Sequence, residues 1–149
     1  MASFQYVREV AAPPEVVFDV LTDHRRYPEI TPLRRAELER EGEPAPNGVG
    51  AIRVLAVVGL GPPMREEVLA YERPRRFSYT VLSGLPFRDH IGTVELEPSG
   101  GGTKVTYAIR TTPTVPVVGG AAILVLKQAI KTLLGGVAKE SERRAVANA

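Results

Sequence analysis

Residues 87–111 read FRDHIGTVELEPSGGGTKVTYAIRT, and this stretch decides the fold. His90, Gly92, Val94 and Leu96 alternate with Asp89, Thr93, Glu95 and Glu97. A period of two with one apolar side is the pattern of a strand that has one covered face and one wet face. Val105, Tyr107 and Ile109 repeat it. Between the two runs, Ser99-Gly100-Gly101-Gly102 reads as a hairpin turn, because consecutive glycines reach positive φ at little steric cost. The two strands are therefore expected to be antiparallel neighbours.

Upstream, Ala51–Val58, Arg65–Tyr71 and Arg76–Leu82 are strand-like, with Phe77, Tyr79 and Val81 on one face. Gly59–Pro63, Arg73-Pro74 and Gly84–Pro86 punctuate them. Phe4–Val10 reads as a first strand. Pro13-Pro14-Glu15 then opens a helix, where proline's missing N–H costs nothing, and Val16, Val17, Phe18, Val20 and Leu21 give it an apolar side. Tyr27-Pro28 and Thr31-Pro32 end that helix and bound a short second one at most. Glu41–Gly50, which contains Pro44, Pro46, Asn47, Gly48 and Gly50, is a loop.

Downstream, the segment from about Gly119 to Ala147 has helical spacing. Ile123, Leu126, Ile130, Leu133, Leu134 and Val137 fall on one stripe, and Lys127, Lys131 and Lys139 fall off it. The whole reads as a single α+β domain over residues 1–149, with the last helix covering the sheet.

The bulk numbers agree with that reading. The chain has 149 residues, 44% hydrophobic and 24% charged, which is a globular composition. It has no cysteine, so thiolate chemistry and disulfides are excluded. The N-terminus carries charge at Arg8 and Glu9 before any apolar core, which argues against a secretory signal and for a cytoplasmic protein. The most apolar run, Val115–Leu126, is about half a membrane span and is followed by Lys127, so a covering helix is expected rather than an integral segment. The net charge of +2 comes with scattered arginine pairs among acidic neighbours. No basic, aromatic stacking platform is present, and nucleic acid is not an expected partner. The oligomeric state is left open.

Several pieces in this order carry a family resemblance. They are Ala12-Pro13-Pro14-Glu15-Val16-Val17-Phe18 with Leu21-Thr22-Asp23 and Tyr27-Pro28, Gly48-Val49-Gly50, Arg65-Glu66-Glu67-Val68, Pro74 to Tyr79, and Gly101-Gly102-Thr103-Lys104-Val105-Thr106-Tyr107. Over nearly its whole length the chain resembles the START-like or SRPBCC superfamily, and within it the polyketide cyclase/dehydrase group. The resemblance implies a helix-grip, Bet v 1-like fold. In it a curved antiparallel sheet of about six to seven strands wraps a long C-terminal helix, with one or two short helices after the first strand. It also implies an apolar cavity. Members include lipid carriers, hormone receptors, pollen allergens, aromatase/cyclases and quinone chaperones, whose functional residues differ, so no catalytic set carries over.

Physical reasoning supports a space under the helix as well. A bent sheet and a straight helix cannot touch along their full lengths. The chain has no Trp, 4 Phe and 5 Tyr, and its helix carries Ala121, Ala122, Ala129, Gly135, Gly136 and Ala138. A ligand space of about 300–1,000 Å³ is expected. Its expected lining is Phe77, Tyr79, Val81, His90, Val94, Tyr107 and Ile109 from the sheet, and Ile123, Leu126 and Ile130 from the helix. The leading expectation is a small hydrophobic ligand such as a lipid, isoprenoid or polyketide-like molecule. The second is a cyclase/dehydratase in which His90 with Tyr79 or Tyr107 moves protons. The third is an interaction module like the quinone chaperones. An apolar lining favours the first, converging polar groups the second, and an exposed apolar patch at Leu60, Met64, Leu85 and Phe87 the third.

His90 has two readings: a cavity acid–base group, or a partly hydrated histidine at the sheet rim. Tyr79 and Tyr107 either orient a polar ligand head or are core tyrosines with backbone or water partners. Parity places Arg88 on the His90 face, against a plain solvent-facing role at the strand's start. Arg53 reads as a cross-strand ion pair with Glu66 or Glu67. His24 reads as a helix C-terminal residue. No metal spacing, nucleophilic triad or phosphate loop is read, and no cofactor is expected. Gly135-Gly136 marks either a kink or ligand approach to the helix backbone, or a helix that ends and restarts. The loops 58–64, 82–87 and 112–118 are candidate mouths or gates.

Overall fold

The computed structural model describes residues 1–57, 62–115 and 117–148. Its elements run in the order β1 (Ala2–Val10), α1 (Pro14–Thr22), a 3₁₀ turn (His24–Arg26), α2 (Tyr27–Ile30), β2 (Leu33–Arg40), β3 (Ile52–Val57), β4 (Met64–Glu72), β5 (Arg76–Ser83), β6 (Phe87–Ser99), β7 (Gly102–Pro113) and α3 (Gly119–Ala147). The strands form one curved antiparallel sheet in the order β1-β7-β6-β5-β4-β3-β2. Every neighbour from β2 to β7 follows in sequence, because short connections favour antiparallel pairing. β1 closes the far side by pairing with β7 from Ala2↔Thr111 to Val10↔Thr103.

The β6–β7 hairpin keeps its register from Ile91↔Arg110 to Ser99↔Gly102. Gly100 and Gly101 at its tip have φ of 53° and 86°, a region in which a β-carbon would be strained. The alternation read from the sequence is the burial pattern: His90, Gly92, Val94 and Leu96 are buried, as are Val105, Tyr107 and Ile109.

β2 was not legible as a strand. Arg34, Arg35, Glu37, Glu39 and Arg40 leave only Leu33, Ala36 and Leu38 for the covered side, and these are half-buried. β2 is an edge strand bonded only to β3. Charge suits an edge, where it discourages pairing with another chain. The charges are placed across the outer face, where Arg65 holds Glu39 bidentately at 2.6 and 2.9 Å and Arg40 holds Glu67 at 3.0 Å.

α1 begins with Pro14 at its first position and buries Val17, Phe18, Val20 and Leu21. α3 is continuous through Gly135-Gly136, so it neither ends nor restarts there. A β-carbon on Gly136 would collide with the Ile30 carbonyl oxygen, while one on Gly135 would meet nothing within 4 Å. Gly136 is thus the point where α2 presses on α3, and helix packing explains this glycine but not Gly135. α3 passes the length and composition test for a membrane span. It nevertheless buries Ile130, Leu134, Val137 and Ala138, and it packs on α1, α2, β1 and β7.

Candidate functional site

The inner face of the sheet is built in rows by the strand register. One row runs Val68↔Tyr79↔Gly92↔Ile109↔Phe4 and the next Tyr71↔Phe77↔Val94↔Tyr107↔Tyr6. A third row, which reaches β3, runs Arg53↔Glu66↔Val81. Phe77, Tyr79, His90, Val94, Tyr107 and Ile109 are all buried on this face, and Val81 is half-buried beside Glu66. On α3, Ile130 is buried, and Ile123 and Leu126 are half-buried. The structure therefore places the expected sheet residues on the inner face and the expected helix residues at buried or half-buried positions of α3.

Gly92 explains the pose of Tyr79. A β-carbon there would collide with the Tyr79 ring. The ring lies across the glycine, and its hydroxyl sits 2.5 Å from that of Tyr107. Burial raises both phenols above their ordinary value.

His90 is not at a hydrated rim. It is 1% exposed, its Nδ1 lies 3.0 Å from the Thr111 hydroxyl, and its ring sits 5.9 Å from Tyr79 and 6.1 Å from Phe87. Burial lowers its pKa to about 4. A bulge lies between Arg88 and Ile91, with Asp89 at φ 51°. The extra residue breaks the parity, so Phe87 rather than Arg88 neighbours His90, and Arg88 is exposed.

The largest departure from expectation is Arg53. It pairs with Glu66 as expected, through Nε to Oε1 at 2.7 Å. The pair, however, is buried on the inner face, with Arg53 3% and Glu66 4% exposed. The guanidinium carbon stands 6.0, 5.1 and 5.2 Å from the ring centroids of Tyr27, Phe77 and Tyr79. Among the described residues, the buried Arg53 Nη1 has no hydrogen-bond partner. Burial alone would lower the arginine's pKa, but the Glu66 carboxylate beside it holds it raised. Burial raises the Glu66 carboxyl, and the guanidinium opposes that rise. Tyr27 donates its hydroxyl to the Leu21 carbonyl and is pushed up to about 12 by burial. His24, just past the C-terminal end of α1 as expected, is fully buried, and its pKa falls to about 3 through burial and then the Arg53 charge.

The sequence carried one signal for this centre, the parity of Arg53 with Leu55 on a strand of otherwise apolar residues. An interior arginine is rare enough that the surface reading took precedence. The inner face is thus an aromatic wall with a buried ion pair in it, and not wholly apolar. Among the described residues no cluster of His, Asp and Glu is placed to hold a metal.

The side chains that α3 buries share one core with Val68, Phe77, Tyr79 and Val94, but its backbone comes closest to the sheet elsewhere. It rests on β1 and β7 at one side of the sheet, and on α1 and α2. Its first half is the looser one, with Leu124 67% and Val125 71% exposed on the outer side. Two clefts, of about 260 and 460 Å³, lie outside the sheet, where α1 and α2 meet the second half of α3. They are lined largely by charged residues, including Glu29, Glu140 and Arg143. Of the candidate mouths, 58–61 lies outside the described residues. Met64, Leu85 and Phe87 are half-buried, whereas Val115, Val117 and Val118 are exposed.

Sheet, helix and short helices together define a helix-grip protein. The family model described as "Polyketide cyclase / dehydrase and lipid transport" matches residues 1–142, and the chain belongs to that family. No curated protein matches the chain in sequence. Among solved structures, TTHA0849 of Thermus thermophilus is 22% identical with a TM-score of 0.71, covering 99% of both chains. A START superfamily protein of Mycobacterium smegmatis is 16% identical with a TM-score of 0.76, covering 95% of this chain and 97% of its own. A norcoclaurine synthase point mutant of Thalictrum flavum, solved with a transition-state analogue, is 14% identical with a TM-score of 0.76, covering 96% and 95%. These likenesses are of fold.

Proposed function

We propose that the chain binds a small hydrophobic molecule between the inner face of β3–β7 and the first half of α3. The observation that carries this reading is the mismatch between the two surfaces. The aromatic and aliphatic wall of Phe77, Tyr79, Val94, Tyr107 and Ile109 extends across β5, β6 and β7, but α3 is seated towards β1 and β7. Its buried side chains run from Ile130, near the middle of the helix, through Leu134, Val137 and Ala138. Ile123 and Leu126, in the first half, are half-buried. A ligand entering under the first half would complete their burial, at about 25 cal/mol per Å² of apolar surface removed from water. A lipid, isoprenoid or polyketide-like molecule fits such a wall, and a cytoplasmic setting is part of the proposal.

The acid–base groups favour binding over proton transfer. A general acid or base works best with a pKa near the operating pH. His90 lies at about 4, and the Tyr79 and Tyr107 phenols are raised. They act here as fixed hydrogen-bonding groups. Titration with the neutral fluorophore N-phenyl-1-naphthylamine tests the reading. Enhanced emission at one site per chain, abolished by Ile109→Trp or Leu126→Trp, is expected. Unchanged emission with the wild-type protein refutes it.

A further inference from the structure

We infer that Arg53 is the polar recognition point of the ligand space, and that it takes a neutral carbonyl oxygen on an otherwise apolar ligand. The inference rests on the binding reading above and adds the chemical class of the ligand.

Arg53 comes from β3 and is buried among Tyr27, Phe77 and Tyr79. A guanidinium has five N–H donors in a planar fork. Nε serves Glu66, and among the described residues Nη1, also buried, has no acceptor in hydrogen-bond geometry. A buried donor without an acceptor costs free energy, and so the site is poised for an oxygen that arrives with a ligand. A buried ion pair is commonly no better for stability than apolar residues of similar volume, so stability alone is a weak reason for its presence.

Charge decides which oxygen. Glu66 already neutralises the guanidinium across a 2.7 Å contact. A ligand carboxylate would bring a second negative charge to the same cation, inside a region of low dielectric. A ketone, quinone or ester oxygen accepts from Nη1 without that repulsion. The rings around the guanidinium suit a flat, conjugated molecule, whose faces they can stack. Tyr79 and Tyr107 are bonded to each other and are less free to serve as the primary donor.

The test uses displacement of N-phenyl-1-naphthylamine by three ligands of one shape: 2-acetylnaphthalene, 2-ethylnaphthalene and 2-naphthoate. In the wild-type protein the ketone is expected to bind most tightly and the carboxylate more weakly than the ketone. Arg53→Met/Glu66→Leu replaces the pair by apolar groups and avoids leaving a bare buried carboxylate. Arg53→Lys keeps a charge but loses the planar fork, whose separate nitrogens let one donor serve Glu66 while another points elsewhere. In both variants the preference for ketone over hydrocarbon is expected to fall by about 10- to 100-fold, the worth of one hydrogen bond to a charged donor. Affinity for the hydrocarbon is expected to stay within a few-fold. A ketone preference unchanged in both variants, with fluorophore binding intact, overturns the role of Arg53 and leaves the binding reading standing. Tighter binding of 2-naphthoate than of the ketone overturns the carbonyl assignment. Failure of the wild-type protein to bind the fluorophore overturns both.

Discussion

Alanine at Gly135 and alanine at Gly136 should change stability in opposite directions, although the two residues are adjacent in one helix. Each substitution gains about 1 kcal/mol of helix propensity. At Gly135 nothing stands in the way of the new methyl group, since no atom lies within 4 Å of it. At Gly136 the methyl meets the Ile30 carbonyl oxygen in collision, with the Ile30 carbonyl carbon at 3.1 Å and its Cβ at 3.4 Å. The obstacle is backbone and cannot rotate away, so α2 must shift. Overpacking of this kind costs about 1–3 kcal/mol. Gly135→Ala is therefore expected to stabilise by about 1 kcal/mol, and Gly136→Ala to lose between about 0 and 2 kcal/mol net. Urea unfolding followed by far-ultraviolet circular dichroism measures both. The shift of α2 also has a functional reading. Tyr27 is its first residue, and the Tyr27 ring faces Arg53. Gly136→Ala should thus weaken ligand binding as well, while Gly135→Ala leaves it unchanged. Equal stabilisation by the two substitutions refutes the reasoning, because it means α2 does not press on Gly136.

Arg53→Met alone should destabilise by about 3–5 kcal/mol by leaving Glu66 buried and unpaired, and adding Glu66→Leu should restore most of the loss; an equal loss in the double variant, by urea unfolding, contradicts this. His24 and His90 have native pKa values of about 3 and about 4, below the 6.5 of the unfolded chain. The unfolded state then binds more protons between those values and 6.5, so stability falls as pH drops through that window, by up to about 1.4 kcal/mol per pH unit for each histidine. His90→Phe should remove its share of that slope between about pH 4 and 6.5, and parallel stability curves for variant and wild type would count against the burial of a neutral His90. Tyr79→Phe strands the Tyr107 hydroxyl and should cost about 1–3 kcal/mol in a thermal or urea melt. Gly92→Ala, which drives a methyl into the Tyr79 ring, should cost a similar amount, about 1–3 kcal/mol; no loss in either variant contradicts the placement of that ring.

Much of the fold was legible because its signals are local. The β6–β7 hairpin shows both its alternation and its glycine turn in 25 consecutive residues of sequence. α3 shows a stripe at helical spacing. β2 was hidden because an edge strand needs few apolar residues, and charged side chains erase the period. The apolar part of the inner face was legible for the same reason of parity. Its polar part was not. Arg53 and Glu66 look like any cross-strand pair until the third dimension puts both on the concave side, and the parity of Arg53 with Leu55 was the one signal that set this pair apart from an outer one. Arg88 was misplaced by the opposite cause. Parity counting is sound only while the ladder is regular, and the bulge at Asp89 adds a residue that composition does not announce. Gly136 needed a partner from α2, a contact more than a hundred residues away in sequence.

The central claim is that this chain holds a small hydrophobic molecule against the inner face of its sheet. Native mass spectrometry of the purified protein, before and after extraction with organic solvent, tests it most directly. The account predicts a one-to-one adduct that extraction releases as an apolar, carbonyl-bearing molecule, or that forms when N-phenyl-1-naphthylamine is added to the bare chain. A bare chain mass under both conditions contradicts it.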